Sequence, residues 1–161
     1  MERRFRPEDV KTIEFAATRV AVLEHRGDPA LIEDSVRRFI AWRKEVGLPP
    51  WLSATFNILY DDPRTTRPEK FRLGLCAATE RGITANAAGI VAMTIPGGRC
   101  AVLRHVGSND ALGRAATYLR AEWLPGSGEQ PRDFPLYVQR LTLLPEVPEH
   151  EAVADIFLPL R

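Results

Sequence analysis

The sequence has almost no excess of charge and very little cysteine. Lys and Arg number 22 against 21 for Asp and Glu, so the formal net charge is +1 and the composition does not predict direct DNA binding. Cys76 and Cys100 each lie in an apolar run without a second Cys or His at metal-ligand spacing. We therefore expect two buried free thiols, no metal site and no cofactor.

Long hydrophobic runs are also missing. The opening stretch, MERRFRPEDV, lacks the apolar segment of a signal peptide, and no stretch approaches the ~18 apolar residues that span a bilayer. We expect a cytoplasmic protein with no membrane partner. The sequence shows no nucleophile, base and acid set and no phosphate-binding glycine loop, so it gives no direct indication of an enzyme.

The most informative feature that is present is an internal repeat. Residues 19–27 read RVAVLEHRG and residues 99–107 read RCAVLRHVG, at an offset of 99 − 19 = 80 residues. In both copies this stretch predicts a strand and a turn that lead into an amphipathic helix and two further strands. His25 and His105 hold equivalent positions in the two copies. Because two histidines lack a third ligand, we interpret each as a polar residue that ends its strand and not as part of a metal site.

Local signals predict the two helices, and they also predict a strand that precedes each copy of the repeat. Apolar residues at helical spacing predict a helix from about 30 to 46, and Gly47 stands where a C-cap glycine would. A second helix is predicted to begin after the polar cap of residues 108–110 and to end at residues 126–128, GSG. The stretches VKTIEF and IVAMTI are predicted strands that precede the first and second copies.

These elements predict an α+β fold. The expected architecture is a tandem βαββ repeat, in which an antiparallel sheet carries two long helices on one face with a cleft between them. The 161 residues are expected to form one domain, with repeat one at about 10–80 and repeat two at about 88–161. A cleft of this kind suits a small apolar or aromatic ligand.

The openings of the two copies, the turn YDDPRTTRPEKFRLGL and the ending ADIFLPL together resemble the GyrI-like small-molecule-binding domain. This is the effector-binding domain of some AraC-type and MerR-type transcriptional regulators, and it stands alone in DNA gyrase inhibitory proteins. The resemblance covers nearly the whole chain, from about Val10 to Leu160. It implies pseudo-twofold symmetry and a hydrophobic cleft between the helices that often accepts lipophilic cations.

One position departs from the pattern of the resembled family. Related domains carry a glutamate on the third strand of the second repeat, and counting from the flanking prolines places Val138 or Gln139 there. A buried cation without a paired carboxylate is costly, so a strongly cationic ligand is disfavoured unless Asp155 or Glu122 supplies the charge. Some stand-alone relatives are similar to hydrolases that use this glutamate. Its absence from this sequence therefore also disfavours hydrolase activity.

Seven residues are candidates for ligand contact: Trp42, Trp51, Asn57, Tyr118, Tyr137, Gln139 and Asp155. Trp42 and Tyr118 lie at the flanks of their helical stripes, where an aromatic ring either faces a groove or packs at its rim. Trp51, in LPPWLS, closes one end of the cleft or covers the core.

The strand candidates follow from alternation and from the family register. Tyr137 and Gln139 share one strand face, which the family register through Gln139 turns toward the cleft, and Asn57 is the expected first-repeat equivalent of Gln139. Asp155 is the carboxylate inside the last strand, and either a cleft position or a solvated outward position is open for it.

Three functions are compatible with these observations. The leading hypothesis is a stand-alone, non-enzymatic protein that binds a small lipophilic or aromatic drug-like ligand, with a cationic one not excluded, and sequesters or senses it. The alternative is a protein-interaction module, with gyrase or a regulator as partner. A weaker alternative is a hydrolase of small electrophilic toxins. Either a monomer or a homodimer is compatible with the sequence.

Overall fold

The computed structural model describes residues 5–142 and 147–161. The strands are β1 (Val10–Phe15), β2 (Thr18–Arg26), β3 (Thr55–Leu59), β4 (Arg72–Ala78), β5 (Val91–Ile95), β6 (Gly98–Val106), β7 (Leu136–Arg140) and β8 (Val153–Pro159). The helices are α1 (Ile32–Val46), α2 (Asn109–Tyr118) and α3 (Leu124–Ser127), and a π-helical turn (Leu119–Trp123) joins α2 to α3. Helices and antiparallel strands make the fold α+β, as predicted.

The chain forms two compact units. The first unit is residues 17–96, and the second unit is residues 1–16 together with 97–161. The first contains strands in the order β3-β4-β2-β5, and the second contains strands in the order β1-β6-β8-β7. Every neighbouring pair within a unit is antiparallel.

In the first unit, α1 packs against one face of the sheet. Asp28 accepts a hydrogen bond from the Ala30 amide at 2.9 Å in the turn before the helix, and Gly47 ends the helix with a left-handed φ of 72°. The predicted helix and its glycine cap are therefore confirmed. Phe39 and Trp42 on α1 form the core with strand residues that include Leu23.

In the second unit, α2 begins at the predicted polar cap. The Ser108 hydroxyl accepts a hydrogen bond from the Ala111 amide at 3.2 Å, and Leu112, Ala115 and Leu119 are buried. The helical path ends before Gly128, which has a φ of 79°. The helix continues across the π-helical turn, which spacing alone does not predict.

The strand before each copy pairs with the opening strand of the other copy. β1 lies beside β6, with Ile13 opposite Cys100, and β5 lies beside β2, with Met93 opposite Val20. A two-residue hairpin from β1 into β2 needs left-handed turn residues. Ala16 lies in the link, and no described residue other than glycine has a positive φ. The compact units follow this pairing and so have different bounds from the predicted repeats.

Both thiols are free and buried, as predicted. Burial raises the pKa of Cys76 to about 12, because the thiolate is poorly solvated in the core. Cys100 lies beside the Tyr137 hydroxyl, with 3.4 Å between sulfur and oxygen. Among the described residues, no helix is both long enough and apolar enough to cross a membrane.

Candidate ligand-binding site

The register of the second unit decides which candidate side chains share a face. Asp155 on β8 lies directly opposite Arg104 on β6 and Gln139 on β7. Opposed residues of antiparallel strands project to the same side of a sheet. His105 follows Arg104 on β6 and therefore projects to the other side of the sheet. There its Nε2 donates to the Ser108 carbonyl at the start of α2, at 3.1 Å. Asp155, Gln139 and Tyr137 thus lie on the face turned away from the helix, so the expectation that Tyr137 and Gln139 face a cleft on the helix side of the sheet is wrong.

We call this surface the far face of the second unit. Its described residues include Lys11, Ile13 and Phe15 on β1, Cys100, Val102 and Arg104 on β6, Tyr137 and Gln139 on β7, and Asp155 and Phe157 on β8. The structure therefore brings three of the seven predicted ligand residues, Tyr137, Gln139 and Asp155, onto one surface.

Arg104 holds both oxygens of the Asp155 carboxylate. Arg104 Nε donates to Oδ1 at 2.9 Å and Nη2 donates to Oδ2 at 3.1 Å. The Asp155 side chain is 15% exposed and the Arg104 side chain is 64% exposed. The hydrogen bonds and the negative charge of Asp155 raise the pKa of Arg104. Asp155 is therefore a partly buried carboxylate whose charge is balanced on the same face.

Next to this ion pair is a cluster of aromatic rings. Tyr137 and Phe157 are cross-strand partners whose rings stack with centroids 4.9 Å apart. The Phe15 ring packs edge-on to both, at 5.1 Å from Tyr137 and 5.3 Å from Phe157. Burial and the hydrogen bond with Cys100 raise the pKa of Tyr137, so its hydroxyl remains protonated. The rings form a buried apolar cluster, with Tyr137 0% and Phe157 4% exposed, beside the polar side chains of Gln139 and Asp155.

The far face of the first unit carries the apolar side chains of Val20 and Val22 on β2 and of Phe56 and Ile58 on β3. Glu24 lies opposite Gly74 and forms an ion pair with Arg26. A Cβ atom at Gly74 would lie 3.1 Å from Ile58 Cβ and 3.4 Å from the Tyr60 ring, so these side chains occupy the space that a larger residue would need. The Glu24 carboxylate on this face is thus paired with Arg26, just as Asp155 is paired with Arg104 in the second unit.

Asn57 lies on the helix side of its sheet, whereas Gln139 lies on the far face of its own unit. Asn57 lies opposite Leu75 on the side of the sheet that α1 covers, and its amide nitrogen donates to the Phe56 carbonyl at 3.0 Å. Val138 lies in the matching place of the second unit, opposite Ile156. The offset between the copies is 138 − 57 = 81 residues here, against 139 − 57 = 82 residues for the predicted equivalence. The predicted equivalence of Asn57 and Gln139 is therefore wrong.

The aromatic candidates outside the far face lie in three different settings. Trp42 is 8% exposed and stacks on Phe39 within the core of the first unit, with ring centroids 6.0 Å apart. Trp51 is 85% exposed. Tyr118 on α2 stacks on Phe5 at 5.3 Å, and burial followed by the charge of Glu122 raises its pKa. Ligand contact at these residues stays a prediction.

The structure also contains a cavity that spacing does not reveal. It has a volume of about 180 Å³ and lies on the helix side of the second unit, near the start of α2. Arg140 lines it and donates to the Asn109 side chain at 2.8 Å, and burial lowers the pKa of Arg140. Pockets for drug-sized ligands usually measure about 300–1,000 Å³, so this cavity is small for such a ligand.

The described residues offer no metal centre. Within residues 5–142 and 147–161, no group of three or more His, Cys, Asp and Glu side chains could hold a metal ion. His25 is instead bonded within its own unit, through Nδ1 to the Ser35 hydroxyl at 2.7 Å and through Nε2 to backbone carbonyls. Small-molecule recognition by apolar and hydrogen-bonding groups is what these surfaces can provide chemically.

Comparison with known proteins gives concordant results. The model of the GyrI-like small molecule binding domain matches residues 8–161. The chain is 40% identical over 153 residues to the probable transcriptional regulator YgiV of Escherichia coli (strain K12), covering 94% of this chain and 96% of that protein. It is 31% identical over 86 residues to DNA gyrase inhibitor 2 of Dickeya dadantii (strain 3937), covering 52% of this chain and 54% of that protein.

A solved structure shares the fold. The C-terminal domain of EcmrR superposes with a TM-score of 0.75 at 15% sequence identity, and the match covers 94% of this chain and 96% of that domain. At this level of identity the likeness concerns the fold alone.

Proposed function

The chain belongs to the GyrI-like small molecule binding domain family, and we propose that it is a non-enzymatic protein that binds a lipophilic or aromatic small molecule and acts by sequestering or sensing it. The observation that carries this proposal is the far face of the second unit. There the stacked rings of Tyr137 and Phe157 lie on the same surface as the polar side chains of Gln139 and Asp155.

The composition of this face supports binding of a flat apolar molecule. Aromatic and aliphatic groups provide affinity at about 25 cal/mol for each Å² of apolar surface removed from water. A few polar groups then set the orientation of a ligand, and the Gln139 amide can both donate and accept hydrogen bonds. Gln139 is half-buried, so it is partly accessible from solvent.

The mode of action is inferred from relatives. The 40% identical protein of Escherichia coli is named a probable transcriptional regulator, which favours sensing of a ligand over simple sequestration. We further propose that the protein acts in the cytoplasm, as a monomer or a homodimer.

A hydrolytic function receives less support from the geometry. A catalytic carboxylate beside aromatic rings must be free to accept a proton or to attack. Asp155 lies on the face of Tyr137 and Phe157, but both of its oxygens are bonded to Arg104. Glu122, the other acidic candidate, is exposed on the helical segment after α2.

A thermal-shift and fluorescence screen over uncharged and cationic aromatic compounds tests the binding proposal. We expect saturable stabilisation by at least one compound class, weakened at least tenfold in Gln139→Ala. Gln130→Ala makes the same chemical change at an exposed position and serves as the control. If no compound class stabilises the wild-type protein, the proposal is wrong.

An exposed tryptophan supports a second candidate, a protein-interaction function. Trp51 is 85% exposed and Leu52 is 57% exposed, in the segment that follows α1. The Arg43 guanidinium holds both ends of this segment through the carbonyls of Leu48 and Ser53, each at 2.7 Å. Rigidly presented aromatic side chains are typical anchors of protein interfaces.

This second candidate is tested with purified DNA gyrase, the enzyme that the name of one relative specifies. Inhibition of supercoiling by the wild-type protein, lost in Trp51→Ser and kept in Val91→Ser, would support it. Val91 is 57% exposed on β5, so its replacement is a matched removal of exposed apolar surface. No inhibition by the wild-type protein would exclude gyrase as the partner.

A further inference from the structure

We infer that Arg104 sets the charge selectivity of the far face of the second unit, so that this face accepts uncharged aromatic ligands and disfavours lipophilic cations. This inference rests on the proposed function and specifies its ligand class. Its basis is the arrangement of charge on the far face.

The strands of this face carry charged side chains of both signs. Lys11 is on β1, Arg104 on β6 and Asp155 on β8, so the sum of their formal charges is +1. Arg132 lies against this face, with its Nη2 3.8 Å from Cys100 Sγ, and it adds a positive charge to those of the strand residues. Asp155 is the carboxylate that a cation would have to use, because the other charged side chains on the described part of this face are positive. The rings of Tyr137 and Phe157 are buried, whereas the Arg104 side chain is 64% exposed, so a lipophilic cation would meet the positive group before it reached the rings.

The geometry of the ion pair removes Asp155 as a partner for a ligand cation. Both carboxylate oxygens accept from Arg104, at 2.9 and 3.1 Å. Such bidentate pairing fixes the carboxylate as well as balancing its charge. A cation could bind only by displacing the guanidinium or by lying next to it, and a desolvated cation without an available carboxylate is strongly disfavoured.

The neutral amide of Gln139 favours a different kind of ligand. Gln139 lies directly opposite Asp155, on the strand that carries Tyr137. Its amide can satisfy a carbonyl, ether or hydroxyl group of a ligand without bringing a charge to the face. Aromatic rings for apolar contact and an amide for one polar group together fit an uncharged aromatic molecule.

On the far face of the first unit the acidic side chains are likewise paired with arginines. Glu24 is paired with Arg26, and Arg72 lies on the same face because it is opposite Arg26. Arg72 also binds Asp61, with Nε and Oδ2 3.1 Å apart. The acidic side chain on this second surface is therefore also balanced by arginine, which agrees with selection against cations.

Two probes of similar shape, one cationic and one uncharged, test the inference. Tetraphenylphosphonium is a permanent cation and triphenylphosphine oxide is uncharged. We expect the wild-type protein to bind triphenylphosphine oxide at least tenfold more tightly than tetraphenylphosphonium, as measured by titration calorimetry at low salt. This comparison depends on no variant, so it remains informative if a substitution unfolds the protein.

Arg104→Gln should release the Asp155 carboxylate and raise the affinity for tetraphenylphosphonium at least tenfold, while the affinity for the oxide changes less than threefold. The double variant Arg104→Gln with Asp155→Asn should lose this gain. Arg114→Gln, at an exposed position on α2, removes the same charge elsewhere and should leave both affinities unchanged.

The outcomes separate the two proposals. Tighter wild-type binding of tetraphenylphosphonium, or a folded Arg104→Gln variant without a gain for the cation, overturns the charge-selectivity inference and leaves the binding function supported. Absence of binding by both probes and by every compound in the wider screen overturns both.

Discussion

Arg43 donates to the carbonyl oxygen of Ser53 at 2.7 Å, which ties the end of α1 to the start of β3 through a buried guanidinium. Arg43 is 5% exposed and also donates to the Leu48 carbonyl at 2.7 Å and the Thr55 hydroxyl at 2.8 Å. Burial lowers the pKa of Arg43, but three hydrogen bonds to neutral oxygens solvate its charge. This interaction orders the segment that carries the exposed Trp51.

The first prediction concerns this buried arginine. Arg43→Ala should lower the free energy of unfolding by about 3 kcal/mol, because it removes three hydrogen bonds from a charged donor and leaves their acceptors unpaired. Urea denaturation followed by circular dichroism measures the change. Lys44→Ala, at the exposed neighbouring position, should cost less than ~0.5 kcal/mol. Equal effects of the two substitutions would contradict the described role of Arg43.

The second prediction contrasts two tryptophans. Trp42→Ala should destabilise the protein by about 3–5 kcal/mol, since Trp42 is 8% exposed and packs in the core of the first unit. Trp51→Ala should cost less than ~0.5 kcal/mol, because Trp51 is 85% exposed. Urea titrations measure the free energy of unfolding of both variants. A Trp42→Ala variant as stable as the wild-type protein would show that Trp42 is not a core residue. Gln139, and not Trp42, is therefore the appropriate position for a ligand-binding variant.

The third prediction concerns the close approach at Gly74. Gly74→Ala should destabilise the protein by about 1–3 kcal/mol, because its Cβ would lie 3.1 Å from Ile58 Cβ on the neighbouring strand. Gly82→Ala is the matched control, since a Cβ there meets nothing within 4 Å and no positive φ is required. Thermal unfolding should show a lower midpoint only for Gly74→Ala. A wild-type midpoint in that variant would mean that β3 adjusts without cost.

The fourth prediction follows from the buried Cys76 thiol, whose pKa is raised to about 12. In a Cys100→Ala background, the remaining thiol should react with a disulfide reagent at pH 8 at least ~100-fold more slowly in the native protein than in denaturant, since thiolate and access are both lost on burial. Rapid reaction of the native protein would show that Cys76 is accessible.

The raised pKa of Cys76 also has a defined effect on stability. The folded state holds the thiol proton more tightly than the unfolded state, whose thiol titrates near ~8.5. The stabilising contribution is therefore complete below about pH 8.5 and is lost as the pH rises toward 12. Urea titrations between pH 7 and pH 10 should show less loss of stability in Cys76→Ala than in the wild-type protein. Parallel curves would contradict this linkage.

Local pattern was sufficient for the elements of this protein and for its family. Apolar spacing and Gly47 identified α1, and the cap at Ser108 identified the start of α2, because these signals act within a few residues of the chain. Alternation along β7 correctly placed Tyr137 and Gln139 on one face. The repeated openings and the turn between them were enough to recognise a GyrI-like domain.

Strand pairing depended on contacts between distant parts of the chain. β1 pairs with β6, across about 90 residues, and the residue that matches Asn57 in the second copy is Val138, one position before the predicted Gln139. A one-residue shift moves a side chain to the opposite face of a sheet, so a small insertion in a loop changes which residues meet a ligand. Neither relation can be deduced from spacing within one copy.

The charge of the candidate site was likewise decided only by tertiary structure. Arg104 and Asp155 are 51 residues apart in sequence, yet strand register brings them into a bidentate pair. The sequence alone established the two helices, the alternating strands, the duplication and the family, since these depend on local spacing or on direct similarity. Which carboxylate is balanced, which tryptophan is buried and which strands are neighbours depend on long-range packing, and those contacts are made only in the folded chain.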